Sequence, residues 1–188
     1  MKFIDILFAI LAGTSISFWH FGGKQILDYL LFDQDSLGEE VDGSVIGVDA
    51  STSVSQSSMS NLIATLKDNQ WGAPFDLFIS RVYTSNGHVD QTGIANYRNA
   101  VNAGISHVHA YIFPDVGQGN PAGQVKAAID ALVSAGLAPN TIIWLDVENY
   151  NWPADQGANQ NFIQQMVDYK SNLPSGARLG IYSSYYNW

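Results

Sequence analysis

Apolar and polar positions along this chain follow two different periods, and the switches between them mark out the elements. Val45–Ala50, Phe75–Tyr83, His107–Phe113, Ile142–Val147 and Arg178–Ser183 read as β-strands. Between them Ser57–Trp71, Thr92–Ala103, Ala122–Ala135 and Gln160–Leu173 have helical spacing, with Leu62, Ile63, Leu66 and Trp71 on one side of the first. Gly104 and Gly136 stand where a helix ends in a left-handed residue, Pro114 stops the third strand, and Pro174-Ser175-Gly176 is a turn. His88 and Asp90 fall in a loop after the second strand, with Asp90 as the cap of the helix that follows. Strands alternating with helices through short connections imply βαβ units and a parallel sheet, either doubly wound and open or closed as a barrel. No glycine-rich phosphate loop follows any strand, which demotes a nucleotide-binding open sheet.

The first 44 residues do not share this alternation. Met1-Lys2, an apolar run from Phe3 to Ile16 and the small residues around Thr14–Ser17 have the layout of a secretory signal peptide over residues 1–17. The run is shorter than the ~20 apolar residues that span a membrane. Residues 18–44 read as a pro-segment or linker: aromatic at Phe18-Trp19-His20-Phe21, helix-like from Gln25 to Phe32, acidic and turn-rich from Asp33 to Gly43. The folded domain is then expected over 45–188. Charge divides at the same place, with seven acids and two bases up to residue 44, and ten acids and six bases beyond it. A chain of 188 residues, 46% hydrophobic and 13% charged, builds one domain with a sizeable core. It has no cysteine, which excludes disulfide scaffolds, thiolate metal sites and cysteine nucleophiles. A net charge of −9 argues against a nucleic-acid partner.

Candidate chemistry concentrates at strand ends. In Ile142-Ile143-Trp144-Leu145-Asp146-Val147-Glu148, side chains alternate, so Ile143, Leu145 and Val147 take one face and Trp144, Asp146 and Glu148 the other. Two carboxylates thus project together near the C-terminal end of a parallel strand, where barrel enzymes place their chemistry. Acids on an interior face are costly, and like charges this close drive one pKa upward. Such a pair supplies a general acid and a stabilising carboxylate. Asp-x-Glu alone is common, and a pair solvated at a strand end is the plainer alternative. The first strand ends similarly, with Gly47 and Asp49 opposite Ile46 and Val48; Asp49 either joins the pair or caps a helix. His107, His109, Tyr111 and Phe113 share a face of the third strand. The histidines are expected to be hydrogen-bonded interior residues, because no third metal ligand is apparent. Tyr111 and Phe113 are candidates for stacking on sugar rings, in a chain with nine tyrosines and five tryptophans. Arg81 pairs either with an acid of the site or with a nearby loop acid. Neither a Gly-x-Ser-x-Gly elbow nor a His-Glu-x-x-His motif is present.

Five short motifs occur in order: Gly47-Val48-Asp49-Ala50-Ser51, Phe78-Ile79-Ser80-Arg81, Ala110-Tyr111-Ile112-Phe113-Pro114, Trp144-Leu145-Asp146-Val147-Glu148 and Gly180-Ile181-Tyr182-Ser183. Together they resemble glycoside hydrolase family 25, the Chalaropsis-type lysozymes, and Tyr111-Ile112-Phe113-Pro114 is similar to the protist and nematode branch. The resemblance covers residues 45–188. It implies an α/β fold, a TIM-like irregular (β/α) barrel of five β/α units followed by three further strands. The sequence ends at Tyr185-Tyr186-Asn187-Trp188, just past the fifth strand, so the barrel is expected to be incomplete, its final strands missing. The resemblance implies hydrolysis of the β-1,4 bond between N-acetylmuramic acid and N-acetylglucosamine in bacterial peptidoglycan. It implies Glu148 as general acid, Asp146 as the group that orients the substrate's 2-acetamido group, and Asp49 as electrostatic support. Tyr111 would line the sugar cleft, with Phe113 and Tyr182 beside it. No metal or other cofactor is expected. The expected partner is peptidoglycan, with no nucleic acid and, once the signal is removed, no membrane; a partner chain enters only if the missing strands are truly absent. The expected location is secreted or lysosomal/phagosomal. The alternative is a non-catalytic carbohydrate-binding protein or a truncated inactive paralogue.

Overall fold

The computed structural model describes residues 16–21, 45–66, 75–148 and 152–183. In chain order the elements are β1 (Ile16–Phe21), β2 (Val45–Ala50), α1 (Gln56–Thr65), β3 (Phe75–Thr84), β4 (His88–Val89), α2 (Gln91–Ala103), β5 (His107–Ile112), α3 (Pro121–Ser134), β6 (Ile142–Val147), α4 (Gln156–Asp168), a 3-10 turn (Tyr169–Asn172) and β7 (Arg178–Ser183). The sheet runs β1-β2-β3-β5-β6-β7, with β4 paired to β3. Strands β2, β3, β5, β6 and β7 are mutually parallel. The fold is mixed α/β with a parallel sheet, as the alternating pattern predicts.

The order of the parallel strands never reverses. Right-handed crossovers then carry each connecting helix to the same side of the sheet. The burial pattern agrees: in β5, Val108, Ala110 and Ile112 are buried in the helix-side core, while His107, His109 and Tyr111 alternate with them and are partly exposed. In β6, Ile143, Leu145 and Val147 join that core, which leaves Trp144 and Asp146 on the other face. The helices contribute Met59, Tyr97, Ala128, Leu132 and Met166, each essentially inaccessible.

Local chemistry sets the helix ends. Asp90 caps α2 by accepting from the backbone N–H groups of Thr92 and Gly93, and α2 stops at Gly104 with φ of 87°. Asp155 caps α4 through Ala158 N–H at 3.0 Å, so this helix begins at Gln156, one turn before the Gln160 start the apolar spacing gives. The first helix is described to Thr65 with Leu66 as its cap; Trp71, the expected last residue of its apolar side, lies outside the described residues. Two strands were not legible. His88 is not in a loop but in β4, where it pairs with Thr84, and β1 runs antiparallel along the outer edge of β2. Residues 1–15 and 22–44, which hold most of the expected signal peptide and linker, lie outside the described residues. No helix among the described residues is long and apolar enough to cross a membrane.

Helix α2 is seated directly on β3. Ser80 Oγ donates to the Gly93 carbonyl at 2.7 Å, and a Cβ built on Gly93 would lie 1.4 Å from the Arg81 carbonyl oxygen. Further along, the Tyr97 hydroxyl pairs with Thr141 and accepts from Ala138 N–H at 2.9 Å, tying α2 to the start of β6. Gly93→Ala is therefore expected to lower the unfolding free energy by about 3 kcal/mol, measured by urea titration. A loss below about 1 kcal/mol would contradict this close seating.

Candidate active site

The parallel strands bring one cluster together at their C-terminal ends. Asp146 is the penultimate residue of β6 and pairs across the ladder with Tyr182 of β7. One step below, Arg81, Tyr111, Trp144 and Gly180 form a row across β3, β5, β6 and β7. Glu148 follows β6, and Asp49 is the penultimate residue of β2; both are half-buried. The Trp144 indole lies over the backbone of β7, so that a Cβ on Gly180 would come within 2.5 Å of its six-membered ring. Only a glycine leaves room for that ring. Phe113 stands just past β5, its N–H donating to the Tyr83 carbonyl at 3.1 Å.

Electrostatics joins these groups into a unit. Asp146 is 8% exposed, and its Oδ1 is shielded with no hydrogen-bond partner among the described residues. Its pKa is pushed up to about 7, first by burial, then by the negative charges of Glu148 and Asp49. Tyr182 is pushed up to about 12 by burial and then by Glu148, Asp146 and Asp49. Tyr111 is raised by burial first and by Asp49 next, with Arg81 opposing. Thus Asp49, Tyr111, Asp146, Glu148 and Tyr182, named from sequence, act on one another here. The sequence shows that one pKa of the pair should be driven upward; in the structure Asp146, which is buried, is driven upward.

The two histidines on the same face of β5 serve the scaffold. His109 Nδ1 accepts from Ile142 N–H at 2.9 Å, linking β5 to β6, and its pKa is lowered to about 3, chiefly by burial and then by His107 and Arg178. His107 Nδ1 lies 3.2 Å from Asp76 Oδ2 at the opposite end of the sheet from the carboxylates. Among the described residues, no group of three or more His, Cys, Asp or Glu side chains is placed to hold a metal ion.

One arrangement was left open between two partners by sequence reasoning, and two were invisible to it. Arg81, left between two partners, donates through Nε to Asp90 at 2.8 Å and through Nη2 to the Ser51 carbonyl at 3.4 Å. Asn96 of α2 accepts from Val54 N–H at 2.8 Å and donates to the Thr52 carbonyl at 2.6 Å, while Asn99 donates to the Val54 carbonyl at 2.9 Å, fixing the loop after β2. Buried Gln124 fastens the loop after β5 through both the N–H and the carbonyl of Asp115 and the Gly119 carbonyl. Polar residues within a helix read as a solvated face, so nothing in the pattern marked these.

Paired carboxylates on the face of the parallel sheet opposite the described helices, at its C-terminal edge, form an arrangement suited to acid–base chemistry. The family described as lysozyme-like protein 1 matches residues 41–188, and the chain belongs to this family. The chain is 45% identical over 118 residues to lysozyme-like protein 5 of Caenorhabditis elegans, a match covering 62% of this chain and 54% of that protein. It is 36% identical over 115 residues to the Dictyostelium discoideum protein named "Probable GH family 25 lysozyme 4", covering 61% and 52%. It is 34% identical over 116 residues to "Probable GH family 25 lysozyme 2" of the same organism, covering 62% and 53%. The nematode and protist relatives agree with the branch read from the motifs. The chain spans about half the length of the curated relatives it matches. No solved structure matches it.

The raised Asp146 pKa makes a statement about stability. Between about 4 and 7 the folded protein keeps a proton that the unfolded chain has released, so this group's contribution is complete below that window and is lost as pH rises through it. Asp146→Asn is expected to stabilise the fold by on the order of 1–3 kcal/mol at pH 8 and negligibly at pH 3.5, by urea unfolding. Subtracting the two curves removes the opposite slope from His109, which stays neutral in the fold and so loses stability as pH falls below its ordinary 6.5. A difference independent of pH would contradict the assignment.

Proposed function

We propose that this protein is a lysozyme-type glycoside hydrolase that cleaves the β-1,4 bond between N-acetylmuramic acid and N-acetylglucosamine in bacterial peptidoglycan. The observation that carries the reading is Asp146, a buried carboxyl with high proton affinity, beside the half-exposed carboxyl of Glu148. Membership in the lysozyme-like family supports it.

Glu148 gives its proton to the glycosidic oxygen as the bond from C1 to that oxygen breaks. The carbonyl oxygen of the substrate's 2-acetamido group attacks C1 from the opposite side. As it does so, the amide nitrogen gains positive character and its N–H becomes a stronger donor. Asp146 accepts that hydrogen bond on a carboxyl oxygen that carries no proton, and the bond strengthens towards the transition state and so lowers the barrier. Water then opens the cyclic intermediate, giving its proton to the Glu148 carboxylate, with retention at C1. Asp49 supports the developing positive charge. Tyr111 and Tyr182 keep their phenolic protons at working pH and serve as donors to the sugar, and Phe113 offers a ring face.

The unreversed strand order supports a TIM-like irregular (β/α) barrel as the architecture of the whole protein. A secreted or lysosomal/phagosomal location fits the charge of −9, since repulsion from an anionic cell wall falls as carboxylates protonate in an acidic compartment. Glu148→Gln is expected to lower reducing-sugar release from peptidoglycan by about 10²–10⁴-fold while binding of N-acetylglucosamine oligomers persists. A wild-type protein that binds these oligomers and releases no reducing ends would replace the hydrolase reading with a non-catalytic sugar-binding one.

A further inference from the structure

The guanidinium of Arg81 occupies an unusual place. It lies on the helix-free face of β3, next to Tyr111 of β5 in the ladder, and the ladder shifts register immediately after it. A bulge at this point re-aims a side chain at a strand end. The Arg81 carbonyl is the surface on which Gly93 of α2 rests, so the backbone of Arg81 is fixed by the helix. Its head is fixed as well. Nε donates at 2.8 Å to Oδ2 of Asp90, which is 8% exposed, and the other oxygen of that carboxylate is occupied by Thr92 and Gly93 N–H at 3.1 and 3.2 Å. Asp90 is thus anchored to the helix N-terminus and cannot follow Arg81 if it moves. From this clamp Nη2 reaches the Ser51 carbonyl at 3.4 Å, two residues beyond Asp49.

We propose that Arg81 is a positioning residue of the carboxylate site: held by Asp90 and standing beside Tyr111 in the ladder, it reaches the Ser51 carbonyl and so fixes the end of β2, with Asp49, relative to β3 and β5. The groups around it come from every neighbouring element: Tyr111 from β5, Asp49 from β2, Asp90 from the cap of α2, and beyond them Asp146, Glu148 and Tyr182. Among the described residues it is the cation whose charge acts on Tyr111 against Asp49, Asp146 and Asp90. A lysine supplies the charge but not two donors in a fixed fork, so the electrostatic and the geometric parts of the role are separable. The kinetic part of the test rests on the hydrolase reading; the titration part does not.

The experiment follows the Asp146 side-chain carboxyl by ¹³C NMR against pH and, in parallel, kcat and KM on peptidoglycan. Arg81→Met is expected to lower the Asp146 midpoint by about 0.3–1 pH unit, because the end of β2 is released and the Asp49 charge that raises Asp146 moves away. It is also expected to lower kcat by about 10–100-fold with little change in KM. Arg81→Lys, which keeps the charge but lacks the two-donor fork, should restore neither the midpoint nor kcat. Lys126→Met, which removes an equal charge from an exposed pair with Asp130 on α3, should change neither. If Arg81→Met fails to fold because Asp90 is left buried without a counter-charge, the double variant Arg81→Met/Asp90→Asn removes both charges and is read the same way. A folded variant with unchanged midpoint and rate would overturn the proposal and leave Arg81 a purely structural residue. If the wild-type protein shows no turnover, the hydrolase reading fails, and the midpoint still decides whether Arg81 positions the cluster.

Discussion

A carboxyl group taken out of water on the helix-free face of a parallel sheet is the constraint on which this structure turns. Burying an ionised carboxylate costs several kcal/mol, and two further negative charges nearby add to it. Asp146 meets that cost by keeping its proton up to about pH 7. Above that pH such a site costs stability, so the other face of the sheet must supply it. The strand order does this. Because the parallel strands never double back, every described helix packs on one side, and the apolar alternate residues of β5 and β6 are spent there. The opposite residues are left for Tyr111, Trp144 and Asp146.

The helices do more than cover the core. Side chains from α2 reach back to the loop after β2, where Asn96 and Asn99 satisfy the backbone of Thr52 and Val54. Gln124 of α3 does the same for the loop after β5. Ser183 Oγ donates to the Val147 carbonyl at 2.9 Å and holds the end of β6, just before Glu148, to β7. The loops after β2 and β5 and the end of β6 are therefore each fastened by a buried or half-buried polar side chain. This matters because carboxyl groups on loose loops would separate, and their mutual effect on proton affinity would vanish.

Much of this was legible in the sequence, for identifiable reasons. Alternation in Ile142–Val147 and His107–Phe113 assigned both faces, since a strand's period of two leaves no freedom once one face is apolar. Asp90 and Gly104 marked the ends of α2 because a capping carboxylate and a left-handed glycine are local requirements. The pairing of Asp146 with Glu148 was visible, but not which one is desolvated, because that depends on neighbours from β2 and β7. The start of α4 was missed because its first turn, Gln156-Gly157-Ala158-Asn159, has no apolar side chain larger than alanine. The two-residue β4 is set by pairing with β3, which no local pattern encodes. The Arg81–Asp90 pair was one of two open choices until the position of α2 against β3 decided it.

The most direct measurement is the pH titration of the Asp146 side-chain carboxyl in the wild-type protein by ¹³C NMR, assigned by comparison with Asp146→Asn. The account predicts a midpoint near 7. A midpoint near the ordinary 3.8 would mean that Asp146 is neither desolvated nor joined to its neighbours, and would contradict the account at its centre.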